Sequence, residues 1–432
     1  MQSHNITGNL WRDVWRELRH NPSAIAGFSV VLFLIVFCVA GDGLWKNDPA
    51  AFDMTQLSQS PNLGLQTQII YPEVNEASTL RNTATANLQL QKPATTESVQ
   101  LAWPAEAPNI TYRIYRHALR PTGLYDLGIP LARTTNTFYE DQLQLENRQY
   151  FYSVATLNAQ GGIAHYSTLP VAVAHATPLA FLQQQHYFHA GTEKPKTFVL
   201  PAHPLGTDKL GRDMLARIIS GGKTSLFIGF TAPFLYVLCG AIYGAVSGYR
   251  GGKIDTLMMA FADFIIALPF LLFMILLRIA FGIGPGSNGM AALMVALLLL
   301  SWPNTARLVR AQVLQLRNMA YVDAARLQGA SGFYIVWRHL LPNVLPSIVV
   351  TLSFAIPSAI FTEAFLSFIG LGVVPPATSW GAMCNDGLSS FLIHPHELLF
   401  PAFFISITVL AFNLLGDGLR DALDVQTREG RA

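Results

Sequence analysis

The sequence predicts an all-α polytopic membrane protein of six transmembrane helices, with an all-β sandwich inserted on the extracytoplasmic side. Three observations predict it. Of 432 residues, 51% are hydrophobic and only 12% charged, against roughly 25% charged in soluble domains. Six apolar runs approach the ~20 residues that a helix needs to cross a bilayer, and polar stretches carrying Lys and Arg separate them. Between residues 86 and 178 the texture changes to short segments of alternating polarity, the pattern of half-buried strands. The net charge of +2 is spread between apolar runs rather than pooled, which gives no ground for a nucleic-acid partner. Cys38, Cys239 and Cys384 fall in or beside separate apolar segments without paired spacing, so neither a disulfide framework nor a zinc site is expected.

Residues 1–41 read as an amphipathic helix followed by a first span. Trp11, Arg12, Trp15, Arg16 and Arg19 suit a cytoplasmic interface,, and residues 24–40 are apolar throughout. Cys38-Val39-Ala40 weakly resembles a small-residue processing site, so a cleaved signal peptide competes with a retained span, although the polar lead is long for one. Residues 42–85, rich in Gln, Asn, Ser and Thr without a period, read as an extracytoplasmic linker,. Residues 86–178 hold ANLQLQ, SVQLAW, TYRIYRH, NTFYED, RQYFYSVATLN and VAVAH, strands enough for a small antiparallel sandwich. Trp103, Tyr112, Tyr115, Tyr150 and Tyr152 are its expected core or near-core aromatics. Residues 179–223 return to the membrane, and Asp208, Lys209, Arg212 and Asp213 there are expected to form surface pairs and caps.

Residues 224–432 form the helical remainder, with spans expected at 224–249, 256–281, 290–309, 344–368 and 398–415. Arg250 and Lys253 lie in one loop; Arg307, Arg310, Arg317, Arg326 and Arg338 surround another; Arg420, Arg428 and Arg431 close the chain. These clusters agree on one orientation, with both termini and the 321–343 loop cytoplasmic and residues 42–223 outside.

Several motifs have plain readings beside sharper ones. Ser220-Gly221-Gly222-Lys223-Thr224 suggests a phosphate loop, but Arg217 stands where the first glycine belongs,. Asp263 and Arg278 fall in the third span, where a charge must be paired, solvated or at an edge. Glu363, deep in the fifth, is a candidate for the translocation path and equally for a hydrogen bond to a neighbouring helix. His186 with His189 and His394 with His396 read as surface histidines, lacking partners at ligand spacing apart from Glu397,. Pro233, Gly240, Gly244, Pro269, Pro303 and Pro357 suit close helix packing, with bending points as a second reading. No Ser/His/Asp elbow stands out.

The stretch that organises the chain is 321–343, YVDAARLQGASGFYIVWRHLLPN. Asp323-Ala324-Ala325 favours helix and allows close approach of another surface; Gly329 turns the chain; a second apolar run from Phe333 is expected to stop at Pro342. A helix-turn-helix carrying Arg326, Arg338 and His339 is too polar for lipid and too apolar to float free. It should dock onto something. The order Asp323-Ala324-Ala325, three residues, Gly329-Ala330, Arg338-His339 and Leu341-Pro342 resembles the EAA loop of bacterial ABC importer permeases. Asp323 stands for the usual Glu and His339 for the usual Ile. HPLGTDKLGRD (203–213), VSGYRGGKID (246–255), EAFLSFIGLGVVPPATSWG (363–381) and AFNLLGDGLRDALD (411–424) are similar to the C-type permease of the dipeptide and oligopeptide branch. Within the insert, Trp103 followed by YRIYR, FYED and YFYSVATLNAQG resembles a fibronectin type III domain.

The resemblance implies the ABC importer permease fold and a multi-pass protein of the bacterial inner membrane. It implies that the chain is not an enzyme and binds no cofactor, with ATP and Mg used by partner subunits. It further implies a second permease subunit forming a heterodimer, two ATP-binding cassette ATPases beneath, to which this chain couples through the 323–342 residues, an extracytoplasmic peptide-binding protein, and a di- or oligopeptide cargo. A different solute such as a nickel chelate is an alternative within that class. A membrane-anchored scaffold or adhesion protein using the sandwich is one outside it.

Overall fold

The computed structural model describes residues 15–71, 87–106, 110–143, 145–158, 160–184, 187, 196–282, 289–375 and 377–429. The expectations on Trp11, Arg12, His186, His189, Arg431 and the Arg428 side chain lie outside them. The chain divides into a helical unit, Met1–Phe52, Gln56–Pro61 and His203–Ala432, and a second unit, Asp53–Thr55 and Asn62–Ala202.

The helical unit begins with α1, Pro22–Leu44. Asn21 caps it, its side chain accepting from the backbone N–H of Ser23 at 3.1 Å and Ala24 at 3.3 Å, with Pro22 in the first turn where no hydrogen bond is lost. α2, Met214–Arg250, is capped by Asp213 and starts ten residues before the span expected from hydropathy. Ser220 to Thr224 therefore lies inside a helix, with Gly221 against Ser379 and Gly222 against Trp380 and Cys38. Its backbone amides are spent on the helix and cannot wrap an anion.

The third expected span is broken. α3, Gly252–Ala267, and α4, Phe270–Ala280, meet at 83°. Pro269 lacks an N–H and pushes Leu268 out of helical geometry, to ψ 124°,. Among the described residues five helices are long and apolar enough to cross a membrane, or up to six if the bent pair is one span. The others are α5, Met290–Leu316, a helical stretch from Gly332 to Phe368, and His396–Leu423.

α2 and α5 touch along a glycine stripe. A Cβ at Gly240, Gly244 or Gly248 would run into the backbone carbonyls of Trp302, Ala306 and Arg310 respectively, and small residues four apart let helix backbones come this close. At the end of the stripe Arg310 grips Asp255 through two nitrogens, at 2.5 and 2.6 Å, while Ser247 donates to the same carboxylate at 2.5 Å. α2, α3 and α5 are thereby tied at one end. Asp263 pairs with Arg307, and Arg278 donates to the carbonyl of Gly370, so the two charges expected within the third span have partners.

The second unit is built of strands. One sheet has the order β2-β3-β6 (Gln89–Leu90, Val99–Ala102, Phe138–Asp141) and another β5-β4-β7-β8 (Ala132–Thr134, Tyr112–His117, Gln149–Leu157, Ile163–Ala172). Val99, Leu101 and Trp103 from the first and Tyr112, Ile114, Tyr150, Tyr152, Val154 and Val171 from the second share one core. Tyr115, one residue out of that alternation, is buried on the opposite face with Leu127 and Ala155,. The buried carboxylate of Asp141 accepts from Tyr152 Oη at 2.6 Å and Arg116 Nη1 at 2.9 Å. A third sheet, β10-β1-β9, joins Thr197–Leu200, Leu65–Ile70 and Ala176–Pro178. β1 lies in the stretch expected to be a linker. Its LQTQII carries only a brief alternation, and its partners are more than a hundred residues away in sequence.

Candidate docking surface

Between α5 and the last long helices the chain builds an elbow. Arg317, just past α5, donates to Gly248 O at 3.1 Å. α6, Ala320–Leu327, follows. Its Val322 and Ala325 enter a cluster with Ala241, Ala245, Val309 and Val313. The helix ends in paired reversed hydrogen bonds, Ala330 N–H to Ala325 O at 3.0 Å and Gly329 N–H to Arg326 O at 2.9 Å. Gly329 has φ +81° with open space around its Cα, so it is the backbone geometry and not crowding that demands glycine there.

Ser331 caps the next helix, its Oγ accepting from Tyr334 N–H at 3.3 Å. α7, Gly332–Ile335, passes into a π-helical turn, Val336–Leu340, and then directly into α8, Leu341–Phe368. The expected stop at Pro342 is not there. Leu341 N–H bonds to Val336 O in the wide turn, which makes room for the proline ring, and Asn343 Nδ2 donates to the His339 carbonyl at 2.5 Å,. Pro342 itself brings no N–H to the turn that follows the π segment,. From Gly332 the second helix of the elbow runs through the π turn into α8 as one continuous helical rod.

The residues singled out by sequence divide between two faces. Ala325 points inward; Ala330, His339 and Leu341 are half-buried; Asp323, Ala324, Gly329, Arg338 and Pro342 are exposed. Ile335, Val336 and Leu340 extend the inner cluster. Outward stand Leu327, 89% exposed, and Phe333, 74% exposed, with Tyr334 and Trp337 beside them. Sequence reasoning passed over these four, although their spacing against Ile335, Val336 and Leu340 was the available signal. Asp323 pairs with Arg326 at 3.0 Å, both well exposed, an interaction that solvent screens heavily. Apolar side chains rimmed by exposed charge suit a protein surface.

Glu363 lies elsewhere, fully buried within the helical unit. Its oxygens accept from Ser225 of α2 at 2.8 Å and Ser367 at 2.7 Å. The charges of 203–217 are mostly buried rather than on the surface as expected. Asp208 binds Arg212 at 2.7 Å and Arg217 at 2.5 Å, and both arginines reach Asp386, at 3.0 and 2.8 Å. Asp386 was missed because its partners Arg212 and Arg217 lie 174 and 169 residues away in sequence. His396, expected at the surface, is buried and bonded to Thr207 O at 3.1 Å. Among the described residues no cluster of three or more His, Cys, Asp or Glu could hold a metal.

Asp213 caps α2 through Ala216 N–H at 2.7 Å and also receives His203 Nδ1 at 2.5 Å and Asn47 Nδ2 at 3.0 Å. Burial opposes its ionisation, but these donors outweigh burial and hold the carboxyl below its ordinary value. A depressed carboxylate stabilises the fold above the unfolded value, near 4, and loses that contribution as pH falls toward the folded one. Asp213→Asn is therefore expected to lower the melting temperature of the purified chain at pH 5–7, with the difference from wild type shrinking below about pH 4.

A family described as binding-protein-dependent transport system inner membrane component matches residues 240–429. The N-terminal TM domain of oligopeptide transport permease C matches residues 9–62. The oligopeptide transport system permease protein of Bacillus subtilis is 47% identical over 227 residues, 52% of this chain and 73% of its own length. The dipeptide transport system permease protein of the same organism is 48% identical over 227 residues, 52% of this chain and 69% of its own length. The oligopeptide permease of Salmonella typhimurium is 38% identical over 294 residues, 67% of this chain and 96% of its own length. About a third of this chain thus has no counterpart in that relative.

Proposed function

Because the chain belongs to the family of binding-protein-dependent inner-membrane permeases that includes the oligopeptide and dipeptide transport subunits, we propose that it is a permease subunit of an ATP-driven importer for di- or oligopeptides. It is a transport subunit and not an enzyme. The observation that carries the reading is the elbow, with its inner side packed into the bundle and an exposed apolar outer side continuous with a long helix. Of two ATPase subunits beneath the permeases, using ATP and Mg, one docks on Asp323, Ala324, Gly329, Arg338 and Pro342, while Ala325, Ala330, His339 and Leu341 seat the elbow on its own bundle. A second permease subunit completes the pathway, and an extracytoplasmic binding protein delivers the peptide.

A lever works only if the docked ATPases hold it differently in their two nucleotide states, since equal contact in both would shift no population. With α8 continuous through the π turn, a tilt of the elbow is a tilt of α8. Both termini and the elbow face the cytoplasm, as the basic residues around them suggest. The two sheets on a common core support a fibronectin type III-like sandwich, which this topology puts on the extracytoplasmic side. The sandwich is an accessory: replacing residues 87–174 by a short Gly-Ser linker is expected to leave ATP-dependent uptake within about twofold of wild type. A dead transporter with normal insertion would make the sandwich part of the delivery route. Purification with native partners, followed by identification of the bound subunits and of the cargo, tests the whole reading; recovery of a non-peptide solute would overturn the cargo class.

A further inference from the structure

Glu363 takes no part in docking, yet its carboxylate is the hub of a buried relay. Ser225 and Ser367 each have a single hydroxyl proton, and each hydroxyl lies within donating distance of Glu363, at 2.8 and 2.7 Å. Their oxygens are then left to accept. Trp380 N–H donates to Ser225 Oγ at 3.3 Å, and Val373 N–H donates to Ser367 Oγ at 3.1 Å. These two amides bracket the segment that leaves α8 and enters α9, Trp380–Leu388.

That segment lies hard against the bundle at both ends. A Cβ on Gly372 would overlap Ser367, and one on Gly381 would overlap the backbone of Ala364. Trp380 is fully buried, with Nε1 donating to Ile218 O at 2.9 Å. Beside it lies a cavity of about 110 Å³ lined by Val373, Thr378, Ser367, Arg217 and Asp386. Arg278 donates to Gly370 O and Arg217 Nη2 to Thr378 Oγ1 at 3.4 Å, and the hydroxyl relay is the fastening that runs through Glu363.

We propose that Glu363 is a positioning residue that acts through Ser225 and Ser367 to hold residues 369–375 and 377–380 against α2 and α8, and that these residues are what a tilt of α8 moves at the end of the rod away from the elbow. The second half rests on the coupling reading above. From Pro342 to Glu363 the rod spans about 30 Å at the helical rise of ~1.5 Å per residue. A carboxylate suits the task because it accepts from both serines at once, which an amide cannot do with two oxygens.

The test is hydrogen exchange and peptide uptake by the full transporter with its partners in lipid nanodiscs or proteoliposomes. Glu363→Ala is expected to speed exchange at Val373 and Trp380 about tenfold, the consequence of removing the acceptor on which both hydroxyls depend. Exchange in residues 320–340 stays unchanged, uptake falls, and ATP hydrolysis persists. Glu363→Gln, keeping one acceptor oxygen, falls between Ala and wild type. Should Glu363→Ala fail to insert, Ser225→Ala and Ser367→Ala separate the two arms: each is expected to loosen its own amide, Trp380 and Val373 respectively. Unchanged exchange at both amides, or a rise spread over the whole helical unit, overturns the proposal. If Asp323→Lys left uptake intact while Glu363→Ala still loosened the segment, the coupling reading would fail and the positioning role would stand.

Discussion

Asp323→Lys and Gly329→Val each reduce peptide uptake at least tenfold while leaving the chain inserted in the membrane at normal levels. Either change costs the isolated chain little. Asp323 is exposed, and its ion pair among the described residues is to Arg326, itself exposed, so reversing its charge alters the fold by no more than about 1 kcal/mol. Loss of uptake must then come from a surface outside this chain. Gly329, with φ +81° and nothing within contact distance of a Cβ, penalises an L-residue only through its backbone, by about 1–2 kcal/mol. Valine, branched at Cβ, is worse placed than alanine, and asparagine tolerates that conformation best. The expected order of uptake is Gly, Asn, Ala, Val. Equal uptake across that series, with Asp323→Lys also active, would remove the elbow from the mechanism.

The second large effect is on assembly of the bundle. Gly244→Leu is expected to abolish accumulation of folded protein, because even its Cβ would occupy the space of the Ala306 carbonyl. A clash with backbone cannot be relieved by rotating a side chain, and overpacking of about 1–3 kcal/mol is the mild end of such changes. Gly43→Leu, at a position where a Cβ meets nothing within 4 Å, serves as the control and is expected to accumulate normally. Detergent-resistant, monodisperse protein from Gly244→Leu would mean that α2 and α5 are not packed as described.

Much of this was legible in the sequence, for reasons that differ from element to element. The long helices follow from apolar runs, and the elbow from a polar island whose Gly329 announces a turn. Trp103, Tyr112, Tyr150 and Tyr152 were readable as core because period-two alternation places them on one face. Hydropathy could not show where α2 begins, since its first turns carry Arg217 and Lys223, whose charges are met by Asp208 and Asp386 and by Asp42. The bend at Pro269 and the continuity through Pro342 show the same residue giving opposite outcomes. At Pro269 the preceding residue leaves helical geometry, whereas at Pro342 a π turn absorbs the ring. Nothing local distinguishes the two. The relay at Glu363 was half visible: a buried carboxylate was expected to find a partner, but Ser225, 138 residues away, could be identified only once the helices were packed.

The central claim is that the outer face of the elbow rests on an ATPase. It is tested most directly by a single cysteine at Leu327, the most exposed of the elbow's apolar side chains, cross-linked in native membranes with and without ATP. The account predicts a cross-link to an ATP-binding cassette subunit whose yield changes with nucleotide, and labelling of the free thiol only from the cytoplasmic side. Labelling from the outer side, or a thiol that cross-links to no protein in either state, would contradict it.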